Sequence, residues 1–355
     1  MEKLSWHDRP LRAAGMLLIG MLLFSGNAPA SVIGGESGAY LRYPVGASAF
    51  AMGGAWSADP STLAPWWNPA ILAREKQRLL TLGGGIRPMG QSDGFASFSF
   101  RVPPRVGMGL FLLYRGDPFL NDLYDENENP IERAAYTTIT GKIALSYYIT
   151  RKLSAGCNLS IHYAKLPYGF SGDHVVYTKA TSIGSFDFAL SYLFSEKITL
   201  ALLLRDVGNK MDWTFTYGDS YGVPNDDRAL PSLILAGSYR TQLLGKPFLW
   251  NCDMRSYFMT GDWKRLERPQ VVLFNGWEWR YWKEFAVRLG LGDLLFNGDI
   301  TSGNGNYRKN FSLRITGGLG IDMSRWRPGL QMNYAISTDK VWAGIDQQID
   351  LTYTF

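Results

Sequence analysis

The chain has 355 residues, 46% of them hydrophobic and 14% aromatic, with 39 glycines and two cysteines. Its 36 Lys and Arg against 31 Asp and Glu give a formal charge of +5, but these charges are scattered singly with no basic run, which argues against a nucleic-acid partner. Mean hydropathy is close to zero and no stretch approaches the roughly twenty apolar residues of a membrane helix, so a helical membrane protein is excluded.

Residues 1–30 read as a secretory signal. Lys3, Arg9 and Arg12 make a basic start, residues 13–24 are apolar but too few to span a bilayer, and Ala28-Pro29-Ala30 is a small-x-small cleavage site. Removal after Ala30 starts the mature chain at Ser31 and leaves a charge of about +4.

Residues 31–77 show no strand alternation. Val45-Gly46-Ala47 opens a short helix expected over residues 47–52, ending in Met52, and Gly53-Gly54 can terminate it. Trp66-Trp67-Asn68-Pro69-Ala70 follows, where Asn68-Pro69 suits a turn that opens a second short helix at Ala70. We expect residues 31–77 to form a plug inside the structure built by the rest of the chain.

From Arg78 onward the chain divides into about fourteen segments of alternating apolar and polar residues. Ile139, Gly141, Ile143, Leu145 and Tyr147 alternate with Thr138, Thr140, Lys142, Ala144 and Ser146; after Arg151-Lys152 the same alternation resumes. Neighbouring residues of a strand point to opposite faces, so each segment has one greasy and one wet face. A soluble sandwich also alternates, and connector length separates the two cases. Pro103-Pro104, Arg151-Lys152, Glu196-Lys197, 243–245, Lys283-Glu284 and 324–328 are short, whereas 116–135, 166–181, 210–228, 260–269, 297–309 and 338–343 are mostly long. Short and long connectors in strict turn mark an antiparallel transmembrane β-barrel with its short turns in the periplasm. The predicted strands begin near residues 78, 93, 106, 136, 153, 182, 198, 231, 247, 270, 285, 310, 330 and 345. The expected organisation is therefore an all-β membrane protein: 1–30 signal peptide, 31–77 plug with short helices, and 78–355 barrel of about 14 strands.

Trp250, Trp277, Trp279, Tyr281, Trp282 and Phe285 gather near predicted periplasmic turns, as an interfacial belt requires. Cys157 and Cys252 fall on lipid-facing positions far apart in strand order, which argues against a disulfide. With apolar residues outward, the lumen receives Arg101, Lys142, Asp187, Arg205, Arg240, Asp253, Arg255, Glu278, Arg280, Arg288, Arg314 and Asp350. On the lipid face an Arg or Lys near the bilayer centre costs about 2 to 4 kcal/mol. Inside, these charges serve either as mutual pairs that hold the barrel and plug, or as a path for anionic head groups.

The residues Val45 to Gly54 with Asn68-Pro69-Ala70, ahead of such a barrel, resemble the PorV/PorQ family and, more distantly, the FadL-type transporters of hydrophobic compounds. The first resemblance implies an accessory of type IX-like protein secretion or surface attachment, touching secreted cargo proteins through its outer loops. Candidate contacts are Trp213, Phe215, Tyr217 and Tyr221, and the acidic loop with Asp122, Asp125, Glu126, Glu128 and Glu132, which serves equally as a solvated loop or one bridged to lipopolysaccharide. The second implies passive passage of long-chain fatty acids or other hydrophobic molecules when the plug shifts. The last strand, ending in Phe355, resembles the C-terminal signal read by barrel-assembly machinery, so the expected site is the outer membrane of a Gram-negative bacterium. Only His162 and His174 remain after signal removal, and no nucleophile motif, phosphate loop, metal-ligand cluster or cofactor motif accompanies them; no catalytic residue is expected.

Overall fold

The computed structural model describes residues 38–117, 135–171, 174–217, 220–221, 225–257, 270–295, 299–301, 307–309, 313–338 and 345–355. Fourteen antiparallel strands close into one barrel: β1 (Leu79–Ile86), β2 (Ser92–Val102), β3 (Val106–Gly116), β4 (Thr137–Tyr148), β5 (Leu153–Ser171), β6 (His174–Ser195), β7 (Ile198–Val207), β8 (Ser232–Leu243), β9 (Lys246–Tyr257), β10 (Gln270–Trp282), β11 (Phe285–Leu295), β12 (Arg314–Asp322), β13 (Leu330–Thr338) and β14 (Ile345–Thr354). Each strand pairs with its sequence neighbour, and β1 pairs with β14 from Leu79↔Thr354 to Ile86↔Gln347, which closes the cylinder. No helix among the described residues is long and apolar enough to cross a membrane; the strands do the crossing.

The alternation sorts as the hydrophobic pattern requires. On β3 and β4 the side chains of Leu110, Leu112 and Ile143 are half exposed on the outside, while Thr138, Thr140, Lys142 and Ser146 are buried on the inside. Trp279, Tyr281, Trp282 and Phe285 stack edge to face near the β10–β11 turn, with centroids 4.8–6.3 Å apart.

Three expectations about strand limits change. The segment 166–181, read as a connector, is ladder: β5 and β6 continue to Ser171 and His174, since its β-branched and aromatic residues pair as well above a bilayer as within it. The connector 210–228 contains the strand Lys210–Tyr217, which pairs with Asn225–Arg228 and with Thr178–Thr181 of β6. The strand expected from residue 310 starts at Arg314, and Asp299–Thr301 pairs with Tyr307–Lys309 in a small separate hairpin. Cys252 keeps the outer face of β9, since Asn251 and Asp253 point inward, but Trp250, Met254, Val271 and Leu273 of the same face pack over it and leave it little exposed. The signal sequence 1–30, residues 31–37 and the acidic residues Asp122, Asp125, Glu126, Glu128 and Glu132 lie outside the described residues.

Candidate functional site

Residues 38–77 run through the barrel from the rim that carries the long connectors to the rim that carries the short turns. At the first rim Gly38 abuts Ala229, and the Arg115 guanidinium donates to the carbonyls of Tyr40 and, at 3.0 Å, Tyr43. At the second, Arg74 donates to the carbonyls of Lys152 (2.7 Å) and Ser191 (2.8 Å), and Asp59 pairs with Arg240. We call this segment the hatch.

Little of the hatch is regular, so its backbone polar groups need partners elsewhere. One helix, α1 (Ala47–Ala51), is five residues long and ends as the Gly-Gly pair dictates: Gly53 takes φ 71°, its N–H reaches Phe50 O at 3.1 Å, and the Gly54 N–H reaches Ala49 O at 2.9 Å. Its start is capped from the wall, where Asp350 Oδ2 of β14 accepts the Ala47 N–H at 2.6 Å. Beyond Gly54, Asp253 Oδ2 of β9 accepts the N–H groups of Trp56 (3.3 Å) and Ser57 (3.2 Å), and Asn251 donates to Ala55 O at 3.2 Å. Arg255 donates to Gly54 O, Arg314 to Gly53 O at 3.3 Å, and the Thr316 hydroxyl to Ala51 O at 2.8 Å. Irregular backbone at membrane depth is tolerated on these terms.

The second half of the hatch repeats the arrangement. A short helical turn, α2 (Ala64–Trp67), not foreseen in the sequence, carries the two indoles and precedes the 3₁₀ helix Pro69–Arg74. Asn68 explains the Asn-Pro-Ala turn: its Oδ1 accepts the Ala70 N–H at 3.0 Å while its Nδ2 donates to Ser57 O at 2.7 Å. Trp66, Trp67 and Trp56 are each 1% exposed and share one cluster with Val45, Met52 and Phe111. Lys142 and Arg205 stand 4.8 and 5.2 Å from the Trp66 ring, and Arg255 stands 5.2 Å from Trp67.

Glycines make room for this close approach. A methyl group at Gly290 or Gly292 of β11 would collide with the Gly53 backbone, one at Gly276 with Met52, and one at Gly156 of β5 with Ala70.

The twelve expected luminal charges therefore divide by role. Arg255 and Arg314 bond the hatch backbone, as does Asp253. Arg205 lies 4.0 Å from Asp187, which also pairs with Lys142 at 2.5 Å. Glu278 accepts from Arg280 and Arg288, both at 2.7 Å; Arg288 continues to Asn333 (2.9 Å) and Asn333 to Asp350 (2.7 Å), so an unbroken chain of polar contacts runs from the short-turn rim to the start of α1. Arg240 and Arg280 sit at that rim, half exposed. Arg101, on the inward parity of β2, is exposed at the short-turn rim, held against Pro104 O and the Tyr148 ring. Asn251, Asn158, Thr316 and Gln348 were missed as hatch partners because neutral residues on a wet face look like ordinary lining.

Glu75, where the hatch leaves the barrel, has both carboxyl oxygens enclosed, with the Ser99 hydroxyl nearby. Burial pushes its carboxyl up to about 7, opposed weakly by the nearby Ser99 hydroxyl. Of the expected loop contacts, Trp213 is half-buried, Phe215 and Tyr217 follow it on the same strand, and Tyr221 lies on the two-residue strand beside it. Among the described residues no group of His, Cys, Asp and Glu is arranged to hold a metal ion.

No protein-family model matches the sequence, and no curated protein does. Solved structures do. The toluene transporter TbuX of Ralstonia pickettii superposes with a TM-score of 0.57 at 15% identity, over 88% of this chain and 98% of its own. At this identity the likeness is one of fold. A Pseudomonas aeruginosa FadL homologue gives 0.54 at 12% identity over 88% and 98%, and the Pseudomonas putida toluene transporter TodX gives 0.53 at 16% over 87% and 97%. The superpositions cover 87–88% of this chain and 97–98% of each of these structures, so the fold is shared over most of the chain.

Proposed function

We propose that this chain is a channel of a Gram-negative outer membrane that admits small hydrophobic compounds and uses its hatch to close the lumen to ions and hydrophilic solutes. The observation that carries this reading is the hatch itself: a segment spanning the barrel end to end, its centre three buried indoles, its backbone bonded to wall residues on both sides. A fourteen-strand barrel is too wide for wall side chains alone to fill, and an unplugged one would be a water pore. The similar barrels are described as transporters of toluene or as FadL homologues, which supports passage of apolar molecules over the accessory role in secretion. In this reading the long connectors face outside, residues 1–30 direct export, and the strand ending in Phe355 engages barrel-assembly machinery. Lipopolysaccharide surrounds the long-connector rim, and Trp213 with its aromatic neighbours meets arriving molecules there.

The test is uptake by proteoliposomes. Labelled toluene should equilibrate faster than in protein-free vesicles while labelled glucose should not. If glucose enters as readily as toluene the lumen is an open pore, and if neither is accelerated the protein is no channel.

A further inference from the structure

The β6–β7 ladder ends at Phe186↔Val207, and the next residue of β6 paired on that side is Thr181, opposite Asp212 of the strand Lys210–Tyr217. Residues 182–185 of β6 have no ladder partner there. The backbone turns aside at both edges of this break, with positive φ at Gly184 (98°), Asp206 (59°) and Gly208 (73°). A Cβ on Gly184 would meet open space.

Facing the break from inside is a group of enclosed polar atoms without partners: Tyr40 Oη, Ser160 Oγ, Ser185 Oγ, His162 Nε2, and both Asn209 amide atoms. The strand register places three of them together, because Ser185 lies opposite Ser160, Ser182 opposite His162, and His162 opposite Thr140, which holds its Nδ1 at 3.1 Å; Asn209 directly follows Gly208 at the edge of the break, and Tyr40 comes from the hatch. Each enclosed polar atom left unpaired costs free energy, so five such side chains at one break in the wall ask for a ligand. An apolar surface adjoins them, formed by Ala164, Ala180 and Met211 with Tyr40 and Trp213 packed against it. The nearest ions are already matched, two carboxylates against two cations: Asp187 stands between Lys142 and Arg205, and Asp206 lies beside the same two cations.

We propose that this break holds a binding site for a neutral amphiphile with one hydroxyl group, such as an alkylphenol or aromatic alcohol. A hydroxyl both donates and accepts, as the mixed set of Ser, Tyr, Asn and imidazole atoms requires, and the apolar surface takes the hydrocarbon body. A carboxylate finds no unmatched cation here, and a hydrocarbon leaves the polar atoms unpaired. The proposal rests on the channel reading and names its preferred solute.

The full chain in lipid nanodiscs, titrated separately with 4-butylphenol, butylbenzene and 4-butylbenzoate, tests it. 4-Butylphenol should bind at least tenfold more tightly than either of the others, and Ser160→Ala/Ser185→Ala with Tyr40→Phe should remove that advantage. These are small truncations of groups without partners, and the three-ligand comparison on the unaltered chain stands even where the triple variant does not fold. Equal binding of phenol and hydrocarbon overturns the hydroxyl site while leaving the channel reading intact. Tightest binding of the benzoate overturns neutrality, and binding of none overturns the site together with the channel.

Discussion

The carboxylate of Asp350, on the last strand, accepts the N–H of Ala47 at 2.6 Å, tying the wall to a hatch residue 303 positions earlier. The same aspartate is held by Asn333 and through it by Arg288 and Glu278. The first helix of the hatch thus has its cap on another element, and loosening the wall loosens the hatch.

Asp350→Ala removes that cap, worth about 0.5 to 2 kcal/mol. Amide hydrogen exchange at residues 47–51 should accelerate several-fold while exchange in β13 and β14 stays slow. Equal acceleration in hatch and strands would mean the residue supports the barrel instead.

Gly290→Val puts a branched side chain where the Gly53 backbone lies. Overpacking of this kind costs about 1 to 3 kcal/mol, and here the hatch is the part free to yield. Planar-bilayer recordings should show raised ion conductance, with the folded, heat-modifiable band on gels retained. Unchanged conductance would show that the glycine is not a seat for the hatch.

Lys142→Met takes from the buried Asp187 its nearer cation, leaving Arg205 at 4.0 Å, and the loss approaches the roughly 3 kcal/mol of a broken buried pair. Lys142→Met/Asp187→Leu should recover most of the loss in guanidinium unfolding of the detergent-solubilised barrel. A double variant no better than the single would place the defect elsewhere.

The Glu75 carboxyl sits above the ordinary carboxylate range in the closed hatch, so that state holds its proton more tightly than an open one. The closed state is therefore favoured below about 4.5 and loses stability as pH rises from 4.5 to about 7. Limited proteolysis near residues 74–77 should speed up across that window in the native chain and stay flat in Glu75→Gln. The same slope in both chains would assign the pH dependence to another group.

Much of the barrel was legible because a strand's period of two leaves a record that survives with no knowledge of packing. Ile143 outside and Lys142 inside follow from alternation alone, and the connector rhythm returned fourteen strands. The long connectors read less well. The stretches 166–181 and 210–228 have mixed polarity on both faces, since strands above a bilayer have no lipid to sort them, and there period two falls silent. At the hatch, Gly53-Gly54 and Asn68-Pro69 announced their turns because each acts locally. The α2 turn carries Pro65-Trp66-Trp67 behind a left-handed Leu63 at φ 58°, a backbone state with no local signal, so the wall must impose it. Partners such as Asp350 and Asp253 were visible only as inward charges, because what they bond lies up to 303 residues away.

The central claim is that the hatch is the gate. Ala51 of α1 packs on Ala335 of β13 in one buried cluster, so Ala51→Cys/Ala335→Cys, in a chain whose own Cys157 and Cys252 are replaced, allows the hatch to be locked by oxidation and freed by reduction. Toluene entry into proteoliposomes measured in both states should fall severalfold on oxidation and return on reduction. Entry at the same rate in both states would contradict the account.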